Sequence, residues 1–270
     1  MTILSDMPGS TPRKARGSKR FPARRLTLGL LSVICGILAW QVLSMNVPPI
    51  FLPSPGQTWD SAMVLVADGT LFWSILASSG RILAGWGLGV LVGVPVGMFM
   101  GRFTVVRELL DPYIEFFRFI PPIALVTLAI IWLGPGEASK IALIFYTTVF
   151  IVTLNVIAGV HAINPLQLRA ASSLGASPAQ VLTTVILPST VPYMVTGARI
   201  AMGNSFLTVI AAEIVASQNG LGALIWTSRN FGRTEWVFVG IIALGLLGYL
   251  FDCVLRVSAR SLLRRYKPQL

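Results

Sequence analysis

One histidine, two cysteines and ten carboxylates are all this sequence offers for catalytic or metal chemistry. They do not converge. His161 stands alone, whereas a general base or a metal site needs partners at bonding distance. Cys35 and Cys253 each fall inside an apolar run, which suits small buried hydrophobes better than a disulfide or a metal ligand. The glycine-rich stretches follow no strand, so they do not read as phosphate loops. No cofactor, no metal and no reaction of the chain's own is expected.

The charges that stand out lie in apolar surroundings. Arg199 and Glu213 share one hydrophobic stretch. A charge at the centre of a membrane helix costs about 2.5–3.5 kcal/mol, so such residues usually face protein or water. On a helix the two fall within ~40° of one face but ~21 Å apart, too far to pair. Arg199, Gly203, Phe206, Ile210, Glu213 and Ser217 make one stripe. Either this stripe faces a translocation pathway or a dimer seam, or each charge snorkels to its own interface. Arg118, just before Pro121-Pro122, either anchors a helix at the interface or attracts an anion.

The elements that hold these residues are set by composition. Hydrophobic residues make up 54% of the 270, and charged residues only 11%. A soluble domain carries roughly a quarter charged. The mean hydropathy is +0.77. About 20 apolar residues span a bilayer, and six segments qualify: 26–44, 79–100, 112–133, 140–160, 190–214 and 236–256. The expected class is all-α, a polytopic bundle of six transmembrane helices. Its parts are a basic disordered tail at 1–25, a first span at 26–44 and a segment at 45–78 with an interfacial helix over Thr58–Ala77. A core at 79–257 and a basic tail at 258–270 complete it.

The net charge of +11 does not point to nucleic acid. Arg13, Lys14, Arg16, Lys19, Arg20, Arg24 and Arg25 crowd ahead of the first apolar run, where they suit an anionic lipid surface. With the N-terminus in the cytoplasm, six crossings leave only Arg81, Lys140, Arg229 and Arg233 of the 21 basic residues at the outer side. The positive-inside rule therefore places both termini in the cytoplasm and 45–78 in the periplasm.

Three local patterns add detail. Gly85, Gly89, Gly93, Gly97 and Gly101 recur every four residues, a bare ridge suited to close helix packing. Asp111-Pro112 reads as a helix start and Pro121-Pro122 as a break, and broken membrane helices belong inside protein or beside a cavity. The polar loop 161–189 holds two helix starts, Asn164-Pro165 and Ser177-Pro178, around Gly175. Helices are predicted over 165–174 and 178–186, with a break before Pro188. A short helix of small residues (Ala170, Ala171, Ser172, Ser173) has little stability alone, so a docking partner is expected.

Arg169-Ala170-Ala171, Gly175, Val185, Leu187 and Pro188 resemble the cytoplasmic Glu-Ala-Ala loop of binding-protein-dependent ABC importer permeases. Arg169 stands where that pattern has Glu, and Val185 where it has Ile. Leu52-Pro53-Ser54-Pro55, Arg118-Phe119-Ile120-Pro121-Pro122, Trp132-Leu133-Gly134, Gly197-Ala198-Arg199-Ile200, Ala212-Glu213 and Gly220-Leu221-Gly222 are similar to the nitrate/sulfonate/taurine branch. The resemblance implies a type I importer permease fold, a homodimer in the bacterial inner membrane, two cytoplasmic ATPase subunits and a periplasmic binding protein. It implies a small anion or sulfonate as solute, and coupling through 161–189. The competing reading is an ion-gradient-driven secondary transporter or channel. That would call for paired intramembrane acids and an inverted repeat, and the sequence displays neither.

Overall fold

The computed structural model describes residues 21–264, with side chains over 27–260. The expected tails lie outside the described residues except where helices run into them. α1 (Phe21–Met45) begins before Leu26 and the last helix runs past 257. The described residues form helices and no strand. Among the described residues five helices are long and apolar enough to cross a membrane by length and composition, and a bent pair makes up to a sixth.

α1 stands at the edge of the bundle, with Leu28, Leu31, Ile34 and Leu38 exposed. The described contacts that hold it include Trp40, which donates from Nε1 to the Pro53 carbonyl at 3.0 Å. Its ring also stacks on Phe238.

The segment between the first two spans divides differently from expectation. α2 (Pro55–Ala67) opens on a capping box between Ser54 and Gln57. It ends at Gly69, whose φ of 78° is left-handed, a conformation that needs glycine. The Asp68 side chain then accepts from the Thr70 backbone N–H at 2.8 Å and starts α3 (Thr70–Arg102). The second span thus begins at Thr70 rather than 79, and the interfacial helix does not reach Ala77.

Asp111-Pro112 is not a helix start either. α4 (Thr104–Phe117) passes through both residues, and the Asp111 carboxylate, instead of capping a helix start, engages Arg107 one turn back at 3.1 Å. The chain breaks at Pro121-Pro122. One 3₁₀ turn (Pro122–Leu125) leads into α5 (Val126–Leu133), and the pair is bent by 88°. Tyr146 Oη donates to the carbonyls of Phe117 and Ile120 at the bend. It thereby satisfies backbone groups that a broken helix exposes.

α6 (Glu137–His161) packs along α3 in a shared four-residue register. A Cβ added to Gly85, Gly89, Gly93, Gly97 or Gly101 would meet Ile144, Thr148, Val152, Val156 or Val160 respectively, at 2.5–3.0 Å. Two ridges of period four thus mesh along the helices, and the absence of Cβ atoms lets the backbones approach.

Beyond α6 lie α7 (Pro165–Ser173) and α8 (Pro178–Val181). The expected break before Pro188 does not occur. A π turn (Leu182–Ile186) joins α8 to α9 (Leu187–Ala216) without interruption. A π bulge absorbs the missing proline N–H within a continuous helix. α10 (Leu221–Asn230) and α11 (Thr234–Arg264) complete the bundle. α9 runs through its centre, where Met202, Phe206 and Val209 pack with Ile82, Ile144, Leu221 and Leu247.

Candidate functional site

Two regions have the construction of working parts, and they lie toward opposite ends of α9. The first is the helix pair after α6. Asn164 Oδ1 accepts from the Leu166 N–H at 2.9 Å and caps α7. α7 ends at Gly175, with φ 78°. There Gly175 N donates to Ser172 O at 3.0 Å and Ala176 N to Ala171 O at 3.1 Å, the paired bonds of a Schellman stop. Ser177 and Gln180 then form a reciprocal capping box. Each turn is closed by bonds only a few residues long, which is why this local shape was readable from spacing alone.

The pair has a buried side and an open side. Leu168, Ala171, Ala176 and Val185 pack against Val160, Ile163, Val181 and Ile186. Arg169, Ala170 and Gly175 are exposed, and so are Leu166 and Leu174, the latter at 88%. Leu187 is exposed and Pro188 half-buried, at the junction with α9.

The second region is a buried ionic cluster at the other end. Arg81 on α3 is 2% exposed and Glu213 on α9 is 0% exposed. Arg81 uses all five of its donors. Nε and Nη2 grip Glu137 at 2.6 and 2.7 Å. Nη1 reaches Glu213 at 2.7 Å and the Asn219 carbonyl at 2.8 Å. Nη2 also reaches Asn219 Oδ1 at 2.5 Å. Lys140 adds a second cation beside Glu137 at 3.3 Å. Two cations and two carboxylates balance; Arg81, Lys140 and Glu213 are buried, while Glu137 is more than half exposed.

Glu213 is enclosed on its other sides. Ser78 Oγ donates to its carboxylate and accepts from Leu221 N at 2.9 Å, and Gly222 N donates to Oε2 at 2.8 Å. Gly220 has φ 113°, and a Cβ there would lie 2.5 Å from the carboxylate. The Gly220-Leu221-Gly222 segment is therefore glycine-flanked because it wraps closely around Glu213. The cluster ties α3, α6, α9 and the start of α10 together.

The sequence-derived stripe on α9 is not one surface. Arg199 and Gly203 are exposed; Arg199 Nε binds Asp252 Oδ1 on α11 at 2.6 Å. Phe206 packs edge-on against Phe251. Ile210 adjoins the central core. Glu213 is sealed, and Ser217 Oγ bonds the Asn219 carbonyl at 2.5 Å. Helical phase put the six on one face, but three other elements cover different parts of that face. Arg118 lies over the Phe119 ring, 4.6 Å from its centroid.

Arg81, placed by sequence at the outer interface, is in fact enclosed by protein. Its signal was present: it sits four residues before Gly85, on the face that the glycine ridge turns toward α6. Glu137, Lys140, Asn219 and Asp252 gave no comparable local signal.

The sequence profile of the family described as binding-protein-dependent transport system inner membrane component matches residues 93–267, well over half the chain. The chain belongs to this permease family. The taurine transport system permease protein TauC of Escherichia coli (strain K12) is 38% identical over 252 residues, covering 90% of this permease and 91% of the relative. The putative aliphatic sulfonates transport permease protein SsuC of Bacillus subtilis (strain 168) is 32% identical, covering 93% and 91%. The bicarbonate transport system permease protein CmpB of Synechocystis is 31% identical, covering 83% and 84%. Among solved structures, an inward-facing conformation of the MetNI methionine ABC transporter superposes with a TM-score of 0.58 at 18% identity, covering 70% of this permease and 95% of that chain. The likeness gives the fold as that of a type I ABC importer permease. The resemblance carried by the 161–189 loop and its companion motifs is thus supported across most of the chain.

Proposed function

We propose that this permease forms part of the transmembrane pathway of an ATP-driven importer of small anions or sulfonate-type solutes. Taurine, aliphatic sulfonates and bicarbonate are the solutes in its relatives' names, and they define the class. A periplasmic binding protein would deliver the solute, and two copies of the chain would enclose the path. Both termini would face the cytoplasm in the inner membrane, a reading that the basic-residue asymmetry supports.

The observation that carries this reading is the helix pair 165–186. It is internally capped, apolar on its hidden side, and shows Leu166 and Leu174 to solvent. It continues without a break into α9, the central helix. An exposed leucine at each end of a short capped helix supplies apolar anchors for a partner's groove. Motion imposed there by an ATPase passes into α9 as a rigid body. Arg169, Ala170 and Gly175 are proposed to lie at that contact, with Ala171, Val185, Leu187 and Pro188 fixing its angle to α9. The bent α4–α5 span is proposed to line the path, since irregular backbone at membrane depth borders a cavity.

The test is reconstitution with the ATPase and the binding protein. Leu174→Cys should crosslink to the ATPase, and Leu174→Asp should abolish solute-stimulated ATP hydrolysis while the permease stays folded. Uptake that persists without an ATPase and stops with a protonophore would instead favour an ion-gradient-driven carrier.

A further inference from the structure

The cavity between α9 and α11 at the end nearest the 165–186 pair is cationic, and the coupling reading does not use it. It measures about 720 Å³ and is lined by Arg199, Gly203, Asp252, Arg256 and Arg260, among others. Asp252 is shared: Arg199 binds it at 2.6 and 3.2 Å, and Arg256 binds its second oxygen. Among the described residues Arg260 has no ion pair. Three guanidiniums thus face one carboxylate, and both paired arginines remain 44% exposed.

Depth gives this charge a meaning. Arg199 lies ~26 Å from the opposite end of α9 and Asp252 ~27 Å from the opposite end of α11, at 1.5 Å per residue. The hydrocarbon core is ~30 Å thick. With those opposite helix ends taken as one face of the core, both residues fall at its other edge, and Arg256 and Arg260 lie ~6 and ~12 Å further along, at headgroup level.

An apolar groove of about 490 Å³ continues from this cavity toward the membrane centre, also between α9 and α11. The two share Arg199, Gly203 and Asp252. Met202, Phe206, Leu244 and Tyr249 line the groove. Gly203 and Gly245 leave it open, with no atom within 4 Å of a Cβ built at either.

A cationic chamber at headgroup depth joined to a chain-shaped apolar groove matches one ligand chemistry. We infer that Arg199, Arg256 and Arg260 bind the phosphate of an anionic phospholipid whose acyl chain lies along Gly203, Leu244 and Gly245. The site would hold α11 against α9 and is independent of which solute crosses.

Native mass spectrometry of the full permease, extracted from vesicles of equimolar phosphatidylglycerol and phosphatidylcholine, tests this. Phosphatidylglycerol should be retained selectively. Arg256→Gln or Arg260→Gln should lower retention about fivefold each, and the double variant about 25-fold, from the worth of one basic residue near an anionic surface. Gly245→Leu should lower it without removing charge, and excess inorganic phosphate should not displace the lipid. Equal retention of both lipids, or full displacement by inorganic phosphate, would overturn the assignment. So would disulfide formation between two copies carrying Gly245→Cys, since a second protomer would then cover the groove.

Discussion

Arg81 and Glu213, 132 residues apart, meet at 2.7 Å with both side chains shut away from solvent. Removing Arg81 strips Glu213 of its counter-charge, and removing Glu213 takes from Arg81 one of its two carboxylates. Breaking one partner of a buried pair costs about 3–5 kcal/mol. Arg81→Ala and Glu213→Ala should each sharply lower thermal stability in detergent. The double variant Arg81→Met/Glu213→Leu should recover much of the loss, and a double-mutant cycle reads the coupling directly. Additive losses would show that the pair contributes little beyond its packing.

The loop around Glu213 offers a separate check. Gly220→Ala places a methyl 2.5 Å from the carboxylate on a backbone with φ 113°. The left-handed side of the map alone costs an L-residue about 1–2 kcal/mol. Gly220→Ala should therefore destabilise the protein more than Gly136→Ala, where nothing lies within 4 Å and φ is negative.

Along α3 the sign of a Gly→Ala change should depend on the face. Gly87 has open space around a built Cβ, whereas at Gly89 and Gly97 the Cβ meets α6 at 2.5 and 2.7 Å. Alanine is favoured over glycine in a helix by roughly 1 kcal/mol, while overpacking costs about 1–3 kcal/mol. Gly87→Ala should raise the unfolding temperature, and Gly89→Ala and Gly97→Ala should lower it. Equal shifts at all three positions would mean that the ridge does not set the α3–α6 distance.

Gly175 tests the coupling pair with little steric ambiguity, because nothing lies within 4 Å of its Cβ and only φ 78° restricts it. Asparagine tolerates that conformation and valine does not. Gly175→Asn should keep ATPase-driven uptake near the parent level, and Gly175→Val should uncouple ATP hydrolysis from uptake. Matched losses in both variants would argue against a requirement for this turn.

Tyr146 holds the bend. Its hydroxyl serves the Phe117 and Ile120 carbonyls, and Tyr146→Phe should cost about 0.5–1.5 kcal/mol, the net worth of a hydrogen bond that is not fully buried. Spin labels on α4 and α5 should report a broader angle distribution in the variant. An unchanged distribution would assign the bend to Pro121-Pro122 alone.

What the sequence determined by itself was most of what closes over a few residues or depends on hydrophobic length. The spans, the Asn164 and Ser177 caps, the Gly175 stop and the glycine face of α3 all follow from period and local bonding. Local signs misled where a longer-range partner, or a tolerant helix, outweighed them. Asp111 binds Arg107 instead of starting a helix, and Pro188 is carried through by a π turn. Helical phase told which residues share a face of α9, but not that α3, α10 and α11 would each cover a different part of it. Only the folded bundle decided that Glu213 faces Arg81 while Arg199 faces Asp252. The reason is physical: a charge in an apolar span must find a counter-charge, yet nothing local says from which helix it will come.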